Sequence, residues 1–153
     1  MFSAKGEKSK GDYMPNDKPE FIANNTVQTE ELKYKGKTIP YSVLKKEVAL
    51  DLPGFLGYAN GHLFISEEVP ENFRNPQLIH EYIEFVELKD EKDRCLQASK
   101  RELEYVPDEL KESYLEYRED FFARLVVYYK DYDDDAFRNR IEASSAFFKK
   151  ITQ

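Results

Sequence analysis

Tryptophan is absent from this chain, cysteine occurs once (Cys95), and histidine occurs only as His62 and His80. A single cysteine excludes an intramolecular disulfide framework and fits a reducing compartment. No apolar run approaches the ~20 residues that a bilayer-spanning helix needs. The basic stretch Met1 to Lys10 has no apolar segment behind it, so it does not read as a signal peptide. An excess of positive charge is missing too. The 23 Lys and Arg face 30 Asp and Glu, for a net charge of −7. Without a basic patch, nucleic acid is not expected as the main partner. These absences describe a soluble, cytoplasmic protein with neither a membrane nor a nucleic-acid partner.

What remains is rich in charge and rings. The 153 residues correspond to one domain, long enough to bury a core without staples. Charged residues make up 35%, above the usual quarter, and 11 Tyr with 11 Phe bring aromatics to 14%.

Residues 1–30 are rich in Lys, Gly, Asn and Pro and lack an apolar period, which reads as a flexible tail. Residues 31–153 read as one α+β domain. Leu32 to Tyr34, then Lys35-Gly36-Lys37, then Thr38 to Leu44 has the pattern of a hairpin. Val48 to Leu52 suggests a further short strand. Asn60-Gly61 is a strong hairpin turn between Gly54–Ala59 and the strand-like His62–Val69, which Pro70 ends. A small antiparallel sheet is therefore expected over 31–70.

About four helices are expected after it. Asn75-Pro76 supplies a cap and a first-turn proline, and Leu78, Ile79, Tyr82, Ile83 and Val86 recur at helical spacing over 76–88. A second helix, near 92–105, places Cys95, Leu96, Ser99, Leu103 and Val106 on one stripe. A long third follows Pro107, with Leu110, Tyr114, Tyr117, Phe121, Leu125 and Tyr128. The acids Asp133 to Asp135 suit the N-terminus of a fourth, which carries Phe137, Ile141, Ser144, Phe148 and Ile151.

The densest chemical signal is His80-Glu81-Tyr82-Ile83-Glu84. Residues four apart share a helix face, so His80 and Glu84 are placed to chelate one ion. Glu81 lies about 100° round the helix, where it would meet a metal-bound water and act as general base. The surroundings run hairpin, strand, loop, helix: Gly57-Tyr58-Ala59-Asn60-Gly61-His62-Leu63-Phe64-Ile65-Ser66, Pro70, then Leu78-Ile79-His80-Glu81. Over roughly residues 54–104 this resembles the zincin metallopeptidases, of the small gluzincin type, in which an edge strand before the helix holds an extended peptide.

The resemblance implies a third ligand from the next helix. Glu102 lies within that helix's apolar stripe, where a carboxylate needs a partner, and is preferred over Glu104, which points to another face. It also implies a peptide or protein substrate, and a histidine near the place that Cys95 occupies. This chain has Glu84 where the family has a second histidine. A zinc ion held by two carboxylates and one imidazole is a weaker Lewis acid, and an oxygen-rich set also admits manganese or iron. The expectation is a metal-dependent, peptidase-like hydrolase, active or decayed.

Asp131, Asp133, Asp135, Asn139 and Glu142 fall at positions 1, 3, 5, 9 and 12 of a calcium loop. Ala136 stands where the loop needs glycine in a left-handed turn, and Phe137, Ile141 and Phe148 already form a helical stripe. Calcium is therefore not expected there. Gly36-Lys37-Thr38 lacks the earlier glycine of a phosphate-binding loop, and Gln77 stands where a di-iron helix needs Glu. Cys95 has no histidine near it along the chain and reads as core. His62, beside a turn, reads as structural.

The abundance of tyrosine on the last two helices (Tyr114, Tyr117, Tyr128, Tyr129, Tyr132) suits an interface, since tyrosine buries a ring and keeps a polar tip. The alternative function is thus a non-enzymatic module that binds a partner or forms a homodimer through those helices.

Overall fold

The structure is a computed structural model and describes residues 18–49, 52 and 54–153. It has the expected α+β order of a small sheet followed by helices. Contacts divide the chain into two compact units, Met1–Tyr82 and Ile83–Gln153, where the sequence suggested one domain over 31–153.

The first unit begins earlier than the sequence suggested. Of residues 1–30, read as a tail, residues 20–30 form a short helix α1 (Glu20–Asn25) and the start of strand β1 (Thr26–Tyr34). Residues 1–17 lie outside the described part. Ile22 of α1 is buried, and the Phe21 ring meets Phe64 edge-on at 5.4 Å. These contacts override the polar composition of the segment.

β1 pairs antiparallel with β2 (Lys37–Leu44). Lys35 and Gly36 turn the chain with φ of 48° and 75°, as a two-residue hairpin turn of this hand requires. β3 (Leu56–Ala59) and β4 (His62–Ser66) form the second hairpin, with Asn60 and Gly61 at 52° and 85°. The two hairpins join through a parallel pairing of β2 with β4, so the sheet is mixed, in the order β1-β2-β4-β3. Pro40 lies just before that pairing begins at Tyr41. β4 is therefore an inner strand, and Leu63 to Ser66 are all buried, as befits a strand paired on both edges. The edge strand beside it is β3. Val48, expected in a strand, lies in a 3-10 turn over Lys46–Ala49.

Pro70 precedes a 3-10 turn, and α2 (Arg74–Tyr82) packs on the sheet. Its residues Pro76 to Glu81 are all buried. The helical run does not stop at Tyr82. It continues into a π-helical turn, Ile83–Glu87, where Leu88 N–H donates to the Ile83 carbonyl five residues back at 2.8 Å. The division between the units falls inside this run.

In the second unit, α3 (Arg94–Glu102), α4 (Lys111–Tyr128) and α5 (Asp135–Ile151) follow. α5 packs on both α3 and α4. Asp134 caps α5, its Oδ1 accepting from Phe137 N–H at 3.0 Å. Among the described residues no helix is long and apolar enough to cross a membrane.

Candidate metal site and the buried polar groups around it

α2 and the π turn that extends it place His80 and Glu84 one turn apart, as the spacing predicts. The third side chain that joins them is Cys95, in the first turn of α3. One ligand atom from each of His80, Glu84 and Cys95 lies within 4.8 Å of the others. All three are interior, with His80 and Cys95 fully buried and Glu84 2% exposed. An imidazole nitrogen, a carboxylate oxygen and a sulfur are the donor types that zinc takes. Arms of ~2.0–2.3 Å in a tetrahedron put ligand atoms about 3.3–3.8 Å apart. Side chains already within 4.8 Å of one another need to draw in by no more than about 1.5 Å to reach that spacing.

Glu81 is buried beside the imidazole, with Oε2 3.7 Å from His80 Nε2. If Nε2 binds an ion, Glu81 is near enough to be a fourth ligand. If Nδ1 binds, Glu81 is placed to orient the ring from behind, as carboxylates do for metal-bound histidines.

A chain of hydroxyls ends on the sulfur. Ser99 Oγ donates to Ser144 Oγ at 3.0 Å, and Ser144 Oγ donates to Cys95 Sγ at 3.1 Å. Both serines are fully buried. Burial pushes the Cys95 thiol well up, the Glu84 carboxylate pushes the same way, and the Ser144 hydrogen bond opposes them. The thiol thus keeps its proton until a cation arrives. Metal binding at such a site releases that proton. Ser144 was assigned from the sequence only to a helical stripe, and nothing in its spacing marks its role.

Glu102, expected as the third ligand, is engaged elsewhere. It is fully buried, and Arg118 holds it with both prongs, Nε to Oε2 at 2.9 Å and Nη2 to Oε1 at 3.0 Å. The Tyr114 hydroxyl donates to the same Oε2. The guanidinium sits among the rings of Phe121, Phe122 and Phe148, 5.2, 4.7 and 5.7 Å from their centres. A carboxylate on this stripe needs a partner, and the partner is an arginine rather than a metal ion. Glu104 is exposed and outside both clusters.

The calcium-loop match at Asp131 to Glu142 fails for the expected reason. α5 already starts at Asp135, so Glu142 lies two turns into a helix and no twelve-residue loop exists. Of the tyrosines read as an interface, Tyr114 is fully buried. Tyr129, Tyr132 and Phe137 pack ring on ring where α4 hands over to α5, and Tyr128 stacks edge-on against Tyr129. Tyr128 and Val127 are exposed. His62 lines a separate cavity of about 210 Å³ with Tyr41 and Ser42.

No protein-family model matches this chain, and neither a curated protein nor a solved structure is significantly similar to it.

Proposed function

We propose that this protein binds one transition-metal ion of zinc type through His80, Glu84 and Cys95, and that the ion is structural rather than hydrolytic. The observation that carries this reading is the convergence of three different ligand types within 4.8 Å at 2% exposure or less. Structural zinc sites are closed in this way, whereas catalytic ones keep a position open to water and substrate. A peptidase-like reaction, with Glu81 as base, would need this interior to open to a peptide. The thiolate also shifts the preferred ion. The oxygen-rich set His80, Glu84 and Glu102 would have admitted manganese or iron, whereas a sulfur ligand favours zinc. The π turn is a further support, since such turns concentrate at functional sites, and Glu84 lies within it.

The test is metal content by elemental analysis of untagged protein, with absorption of the cobalt-substituted form. About one ion per chain is expected, together with a sulfur-to-cobalt charge-transfer band. Both should disappear in His80→Ala and Cys95→Ser and survive in Glu104→Gln. A wild-type protein that takes up neither zinc nor cobalt would sink the reading.

A further inference from the structure

The second unit holds a cavity of about 500 Å³, bordered by the chain entering α3 and by the first turns of α5. Leu96, Ala136 and Ala143 give it an apolar wall, and Arg94, Arg140 and Asn139 give it donors. The two arginines differ from the others of this unit that form ion pairs. Arg118, Arg124 and Arg138 each hold a carboxylate. Among the described residues, Arg94 and Arg140 do not. Arg94 Nη1 donates to the Glu91 backbone carbonyl at 3.2 Å, and its buried Nε has no hydrogen-bond partner. The Arg140 guanidinium rests 5.9 Å from the Phe137 ring.

The charges around this pair are mixed. Asp90, Glu91 and Asp93 also border the cavity, but all three are exposed. Asp93 is occupied along its own helix, accepting from Gln97 Nε2 at 2.7 Å. It makes no side-chain cap to the α3 amides. Two guanidiniums that repel each other across an apolar wall are stabilised by an anion that both can hold. Arginine does this with paired, charge-assisted hydrogen bonds to carboxylate or phosphate.

We propose that this cavity binds a small amphiphilic anion, its carboxylate or phosphate held between Arg94 and Arg140 and its short apolar body lying on Leu96, Ala136 and Ala143. None of His80, Glu84 and Cys95 lines this cavity, so failure of anion binding would leave the metal reading standing.

Amide NMR of the full chain at low salt, titrated with inorganic phosphate, hexanoate and hexyl phosphate, tests it. Saturable shifts are expected in residues 93–97 and 136–143, with hexyl phosphate binding more tightly than inorganic phosphate. A preference between hexanoate and hexyl phosphate would name the head group. Arg94→Ala and Arg140→Ala should each weaken binding at least ~10-fold, with Arg94→Lys in between. Both arginines are partly exposed, so loss of either is not expected to unfold the chain, and circular dichroism checks this. The proposal is overturned if no probe saturates by ~10 mM, or if binding persists unchanged in both alanine variants.

Discussion

Two clusters of buried polar side chains carry the same kind of group to different ends. Around Glu102 the carboxylate is closed on itself. Arg118 supplies the cation and both prongs, and Tyr114 supplies a further donor. Around Glu84 the neighbours are His80 and Cys95, groups that bind a cation in common with a carboxylate. Burial alone therefore does not distinguish a metal ligand from half of an ion pair. The identity of the nearest side chains does. Removing one partner of a buried pair leaves an uncompensated charge, while the cost of removing a metal ligand depends on whether metal is present.

The largest expected effect follows from that difference. Arg118→Met should cost about 3–5 kcal/mol in urea unfolding, with or without added zinc, because Glu102 stays buried without its cation. Cys95→Ala should instead erase a zinc-dependent gain, about 2.7 kcal/mol when free metal is a hundred times Kd. If Arg118→Met is nearly neutral, or if its cost depends on zinc, the two clusters are not the distinct devices described above.

A smaller effect sharpens the metal side. Ser144→Ala keeps all three ligands and removes the hydroxyl that donates to Cys95 Sγ. Losing such an outer-shell partner should weaken zinc ~10- to 100-fold by competition with a chelating dye. It should also move the cobalt charge-transfer band, which a merely structural serine would not do. An unchanged affinity and band would reduce Ser144 to packing.

The smallest effect belongs to the ion-pair side. Burial and the Glu102 charge hold the Tyr114 hydroxyl well above its usual range. Below pH ~10 tyrosine is neutral in both folded and unfolded chains, so this contribution is fully present. Above it the unfolded chain loses the proton while the folded one retains it, and stability falls as pH rises. Tyr114→Phe should remove about 1.4 kcal/mol per pH unit from that alkaline slope. An identical slope in the variant would mean that Tyr114 does not hold its proton.

Local signals in the sequence were legible. Both hairpin turns, the helical run after Pro70, the cap of α5 and the failure of the calcium loop follow from residues that act on near neighbours. The parallel pairing of β2 with β4 was not legible, because nothing local in either strand records its partner. The position of Glu102 in the core was legible from the apolar stripe. Its partner was not legible, because Arg118 lies one turn after Tyr114 on a helix whose other charges face solvent, and no local signal marks it as the charge that turns inward. Cys95 was missed for a related reason. Its histidine neighbour is fifteen residues away in sequence and becomes a neighbour only when α3 packs against the π turn.

That π turn also bears on how the chain tolerates insertions and deletions. A π turn is an α-helix carrying one surplus residue, so that its hydrogen bond reaches five residues back instead of four. Removing a residue from an ordinary helix swings everything beyond it by about 100°. Between Ile83 and Glu87 the same deletion would instead restore a regular ladder. The phase that would be lost is the one that sets Glu84 beside Cys95. The helix could shed the residue and remain a helix, but His80, Glu84 and Cys95 would no longer converge.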